Sequence, residues 1–254
     1  MTKPWIRIVI AGTLVLALAV TALAQRGGFG RRNRSFVPTY SGNVPYDGKF
    51  VFVRMSYEGD RRNSWAHDYP TGEFNFMTIF STITNAPSHV NESSIMSFSD
   101  PEMYKFPVIY LCEPGWWQLS QDDAVLLRDY LVKGGFMIVD DFPADHWAYF
   151  DLQMSRAFPD AEWIELDEDH QIFHSFFEVN PFEVIPPYSN LGGRPSFQAL
   201  FEDNDPSKRM YVVANYQNDL SEWWEASSQG YNLVDASNEA YKIGVNEFIY
   251  AITH

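Results

Sequence analysis

Two adjacent carboxylates, Asp140 and Asp141, close the apolar run in YLVKGGFMIVDDF (130–142), at the point where a buried strand would reach solvent. Crowded carboxylates raise one another's pKa, so such a pair could act as a general acid, contact a cation or cap a turn. Side chains alternate on an extended chain, so at most one of the two is expected to face a given cleft while the other caps the next turn or a helix N-terminus. Capping is the leading expectation, ligand or metal contact the second and acid/base catalysis the third.

Two other motifs invite chemistry. His170 and His174 in DEDHQIFH stand four apart, the spacing at which a helix puts two imidazoles on one face, as zinc sites do. Gln171 occupies the place of the zinc-peptidase glutamate, and the stretch after Leu166 reads as a turn. A structural His170, hydrogen-bonded in that turn, is expected, and no metal or cofactor is assigned. Cys112 is the one cysteine, which excludes an intrachain disulfide. Glu113 and Pro114 follow it, and a neighbouring carboxylate raises a thiol pKa, so Cys112 reads as a small buried hydrophobe rather than a nucleophile.

Strands and helices must position these groups. Short β-branched or aromatic runs predict buried strands over Lys49 to Tyr57, Pro107 to Cys112, Phe136 to Val139 and Met210 to Ala214. Helices are predicted over Phe74 to Thr84, Gln121 to Lys133, Trp147 to Ala157 and Asn238 to Ile252. For the second, Ser120 is the N-cap and Gly134 the left-handed C-terminal residue. In the last, Tyr241, Val245, Phe248 and Ile252 are placed on one face. The alternation argues for an α/β fold with a mostly parallel sheet flanked by helices. In such sheets ligands bind at the carboxyl ends of the strands. The residues there are Tyr57 to Gly59, Glu113 to Trp116, Asp140 to Phe142 and Asn215 to Asp219, a set of acids, amides and aromatics suited to a polyhydroxylated or cationic ligand or to a divalent cation. The span from Pro181 to Pro195 reads as a surface loop or short strand excursion. The doublets Trp116-Trp117 and Trp223-Trp224 read first as packing.

Residues 1–24 have Lys3 and Arg7 ahead of an apolar run that ends in Ala22-Leu23-Ala24, the pattern of a cleaved secretory signal. The alternative is an uncleaved membrane tether through residues 8–25, nearly the roughly 20 residues that span a bilayer. Residues 25–48 begin as an Arg/Gly-rich linker, and 49–254 are expected to form one α/β domain. From Ser35 onward 12 basic residues face 33 acidic ones, a balance that repels phosphate backbones and argues against nucleic acid as a partner.

Several stretches in fixed order resemble one bacterial family, domain of unknown function 4159: RMSYEG, WAHDYPTGEFNF (65–76), LSQDDAVLLRDYLVKGGFMIVDD, FPDAEWIELDEDHQIFHSFF, NDLSEWWE and YKIGVNEFIYAIT. That family is similar in fold to the class I glutamine amidotransferase-like, flavodoxin-like superfamily. The resemblance implies a three-layer sandwich but not amidotransferase activity. Those enzymes carry a cysteine in a G-x-C-x-G elbow, whereas the corresponding turn here is Val139-Asp140-Asp141-Phe142. Where relatives tend to have a Gly-His-Gly-like turn, this chain has Cys112 to Gly115.

The expectation is an exported periplasmic or extracellular protein that binds a small polar ligand or an envelope protein. Its site candidates are Tyr57, Trp65, Asp68, Asp140, Asp141, His170 and Asp219. The rival is a hydrolase or carbohydrate-processing enzyme with an Asp/His pair, metal-assisted or not. A third option is a scaffold held near the membrane.

Overall fold

The computed structural model describes residues 42–58, 65–184, 186, 194–229 and 234–254. The expected signal segment, most of the linker and most of the span from Pro181 to Pro195 lie outside these residues. No helix among the described residues is long and apolar enough to cross a membrane.

Seven strands form one sheet: β1 (Phe50–Met55), β2 (Ser88–Met96), β3 (Val108–Cys112), β4 (Phe136–Asp140), β5 (Ile164–Glu165), β6 (Ser196–Phe201) and β7 (Met210–Tyr216). Their order is β2-β1-β3-β4-β7-β6-β5. The first five in that order run parallel, and β6 is antiparallel to both of its neighbours. All four sequence-predicted strands are present. The sequence reading missed β2, β5 and β6; for β2 the reason is that SHVNESSIM alternates weakly and carries five polar residues in its first six.

The helices are α1 (Thr71–Thr84), α2 (Gln121–Val132), α3 (Trp147–Ala157), α4 (Leu220–Ala226) and α5 (Val234–Thr253). Ser120 caps α2 as its sequence suggests, accepting from the Asp123 N–H at 3.0 Å. Gly134 then takes φ 117°, where a side chain would be strained. In α5, Val245 and Phe248 are buried, but Ile252 is 41 % exposed. Ala240, Ile243 and Gly244 join Val245 and Phe248 against the core, and a Cβ on Gly244 would lie 2.5 Å from the Trp224 ring.

Strand alternation divides the core into two apolar layers, one on each face of the sheet. Val51, Val53, Ile109, Leu111, Met137 and Val139 pack with α2 and α3 on one face. Phe52, Val108, Tyr110, Cys112, Phe136 and Ile138 pack with α1, α4 and α5 on the other. The folded region begins before residue 49: Val44 is buried and its N–H donates to Ser94 Oγ at 3.1 Å, while Tyr46 packs edge-on against Phe106.

Candidate functional site

On the face covered by α1, α4 and α5, the apolar strand positions turn polar as the strands reach their carboxyl ends. The period of two that places Phe52 there also places Arg54; the one that places Val108 and Ile138 also places Tyr110, Cys112 and Asp140; Val213 is followed by Asn215. Arg54, Tyr110, Asp140 and Asn215 are fully buried. A buried charge needs partners. Arg54 pairs through Nε with Glu73 of α1 and donates from Nη1 to the carbonyls of Trp65 and His67, both at 2.8 Å. The buried guanidinium therefore fixes the segment that carries Trp65, His67 and Asp68.

Asp140 does the capping work that alternation leaves to one member of the pair. Its Oδ2 accepts from Tyr110 OH at 2.6 Å and from the backbone N–H groups of Leu220 and Ser221 at 2.8 and 3.0 Å. Burial still pushes its pKa up, from 3.8 to about 6. Asp141 has left the strand, with φ 61°, and the turn brings its carboxylate to the face that also carries Cys112. Its Oδ2 lies 3.7 Å from His67 Nδ1 and accepts from Cys112 Sγ at 3.5 Å. Burial first and Asp141 second hold the Cys112 thiol well above its ordinary value, which agrees with an inert cysteine.

Further acids converge on Asp141. Glu113, also in left-handed backbone (φ 49°), places Oε1 3.3 Å from His67 Nδ1. Asp68, at φ 60°, accepts from Ser221 Oγ at 3.2 Å. Asp219 caps α4, accepting from the Glu222 N–H at 2.8 Å and from Ser221 Oγ at 3.0 Å. Donor atoms of His67, Asp68 and Asp141 lie within 4.8 Å of one another, as do those of Asp68, Asp219 and Glu222, so Asp68 joins two overlapping groups that could hold a metal ion.

The electrostatics follow from this crowding. Burial, then Asp141, raises the pKa of Asp68 and lifts that of Asp219 well above the ordinary carboxylate range. Burial is also the main cause that raises Glu113, Glu222 and Glu225, the last to about 6. His67 also rises, which for a base favours the charged form: Asp141 first and Glu113 second push it up to about 11. Beneath the cluster, Glu247 of α5 is 1 % exposed, beside Asn215, and among the described residues neither of its carboxyl oxygens has a partner at full hydrogen-bond geometry. Burial and the Asp140 charge keep it protonated far above its ordinary range.

Of the sequence-predicted site residues, Asp68, Asp140, Asp141 and Asp219 meet at this edge. Tyr57 lies beside them, its hydroxyl donating to the Cys112 and Glu113 carbonyls at 2.9 and 2.7 Å. Trp65 stands on the segment held by Arg54. His170 does not join them and is corrected here: it packs against Phe201, which pairs with the first residue of β7, and against Tyr250, and so lies at the opposite, amino edge of the sheet. There its Nδ1 accepts from the Ile172 N–H at 3.2 Å at the start of a 3-10 turn (Gln171–His174), the structural role its sequence suggests. Trp117 and Trp224 are core residues. Sequence reading missed His67, Glu222 and Glu247. His67 stood in the quoted WAHDYPTG motif between two selected residues and was the findable one; Glu247 gave no signal, because its neighbours read as an ordinary helix face.

Residues 50–252 match the profile of the family described as Domain of unknown function (DUF4159), and the chain belongs to that family. No curated protein matches the chain.

Proposed function

We propose that this member of the DUF4159 family is an exported binding or accessory domain of the cell envelope, not an amidotransferase, and that the carboxyl edge of its sheet takes a hard divalent cation as part of a polar ligand site. The observation that carries the reading is the meeting of His67, Asp68, Asp141, Asp219 and Glu222 with donor atoms at metal-binding separations. Carboxylate oxygens with one imidazole suit Ca²⁺, Mg²⁺ or Mn²⁺ better than a thiolate-loving metal. The excess of buried acid over base also favours a cation, because Arg54 is already committed to Glu73.

Backbone strain supports the same place. Asp68, Glu113, Asp141 and Gln217 all sit in left-handed backbone at this edge, and such conformations cost about 1–3 kcal/mol each and cluster at functional sites. The order of the five parallel strands, β2-β1-β3-β4-β7, follows the doubly wound flavodoxin-like pattern and so favours the superfamily that the sequence resembles. At the turn where an amidotransferase would carry its cysteine, Asp141 presents a carboxylate. The second reading is a metal-assisted hydrolase, favoured by the approach of Asp141 to His67, an acid/base pair on the same site.

The test is thermal unfolding of the metal-free protein with Ca²⁺, Mg²⁺ and Mn²⁺ in turn. At least one ion is expected to raise the midpoint by several degrees, as binding to the native state alone requires, and Asp68→Asn, which touches both donor groups, is expected to abolish the rise. Unchanged midpoints with all three ions would remove the cation from the account.

A further inference from the structure

Among the strands β1 to β4 the direction of addition reverses at β1: from it the chain passes to β2 on one side, then returns to β3 on the other. At such a switch point the connections leave the two carboxyl ends in opposite directions and a crevice opens between them. Here the crevice is a cleft of about 850 Å³, walled by the segments that follow β1, β2 and β3 and by α3. Its volume falls in the range of small-ligand sites. Tyr57 is a wall common to the cleft and the acidic cluster, since it lines the one while its hydroxyl is bonded beside Glu113 in the other.

Apart from Glu58, Asp123 and Arg156, the lining is uncharged and amphipathic. Tyr57, Trp65 and Tyr149 supply aromatic surfaces, and Ser97, Ser99 and Gln118 supply hydroxyl and amide groups. The Trp65 indole N–H, the Tyr149 hydroxyl and the Gln118 amide make no hydrogen bond to the protein among the described residues. Two of the charged groups in the wall are engaged: Asp123 accepts from Ser120 Oγ at 2.8 Å, and Arg156 donates to the Leu119 carbonyl at 3.0 Å. Exposed aliphatic surface is limited to Leu152, which gives an apolar peptide little to bury. Flat rings with unengaged polar tips, between hydroxyl and amide groups, match a ligand whose faces are apolar and whose rim is hydroxyl.

We propose that this switch-point cleft binds a neutral saccharide chain, with sugar faces on Trp65 and Tyr149 and sugar hydroxyls bonded by Gln118 and the serines. The proposal rests on the reading of the carboxyl edge as a ligand site but not on the cation. Arg54 joins the two, because one guanidinium holds the carbonyls of Trp65 beside the cleft and of His67 beside the acids.

The experiment titrates the full chain, by tryptophan fluorescence and calorimetry, with three soluble tetrasaccharides: β-1,4-linked glucose, β-1,4-linked N-acetylglucosamine and α-1,4-linked glucose. One of them is expected to bind saturably, and Trp65→Ala and Tyr149→Ala are each expected to weaken it by about tenfold or more, with circular dichroism unchanged. Absence of saturable binding to all three by folded protein would overturn the proposal, as would binding that both variants leave intact, or saturation by a mixed peptide digest alone. Repeating the titration in a chelator separates the two readings: saccharide binding without any cation response keeps this cleft and removes the cation site, and the reverse result does the opposite.

Discussion

The two ends of the sheet treat their polar groups differently. At the amino edge the polar side chains close pieces of chain: the buried Tyr130 donates to the Phe106 carbonyl at 2.9 Å, and the half-buried Arg209 and His170 bond the carbonyls of Gly135 and Leu131 and the Ile172 N–H respectively. At the carboxyl edge the helix caps and the Arg54 pair account for only some of the acids. Among the described residues, the Glu247 carboxyl and one oxygen each of Glu73, Glu113 and Asp140 are buried with no partner at hydrogen-bond geometry, and three of the acids sit on strained backbone. Satisfied polar groups lower the energy of the fold, whereas a surplus of buried like charge raises it. A chain that keeps such a surplus at one end only has a use for it there.

The largest effect expected from breaking this comparison is at Arg54. Replacing it with Ala leaves Glu73 buried without its partner and releases the Trp65 to Asp68 segment, so chemical denaturation should show a loss of about 3–5 kcal/mol. The next effect has the opposite sign. Asp219→Asn keeps a good N-cap for α4 and removes one charge from the surplus, so the metal-free protein should gain about 1 kcal/mol near pH 8.

The pH dependence of that gain follows from linkage. Asp219 and Asp68 have native pKa values above their unfolded ones, and Asp140 has moved from 3.8 to about 6. The native state therefore holds more protons than the unfolded one. The stability these groups contribute is complete below about pH 4 and falls as pH rises through their native values. His67, raised to about 11, adds a contribution complete below about pH 6.5 that is lost as pH climbs toward 11, so it has the same sign. Unfolding midpoints of metal-free protein should decline from about pH 5 to pH 8, and Asp219→Asn should flatten the decline. The smallest effect belongs to the amino edge: His170→Ala should cost about 1 kcal/mol for its lost turn bond and leave any cation response unchanged.

The same contrast marks how far the sequence is legible. The strands β1, β3, β4 and β7 announce themselves because they are buried on both faces and carry unbroken apolar runs, and α2 because its cap and stop signals are local. The rule that ligands gather at strand carboxyl ends then finds Asp140, Asp141 and Asp219 without a structure. His170 enters the same set by residue type alone, since nothing local tells which edge the chain reaches after β5, a strand of two residues that β6 pairs only later in the sequence. β6 sets that edge, and its pairing with β7 is a contact across sequence that no periodicity reports. Glu247 was illegible for a related reason: a carboxylate on an amphipathic helix reads as solvated unless its partner layer is known.

The central claim is that the acidic edge is completed by a cation. The most direct measurement is calorimetric titration of Mn²⁺ into metal-free protein near pH 7 in two buffers of different ionisation heat, which counts protons released per ion bound. The account predicts saturable binding with net proton release, because burial and then the neighbouring acids raise the pKa of Asp68 and Asp219 while coordination requires them ionised, and it predicts loss of both signals in Asp68→Asn. Binding with no proton release, or no binding by folded protein, would contradict it.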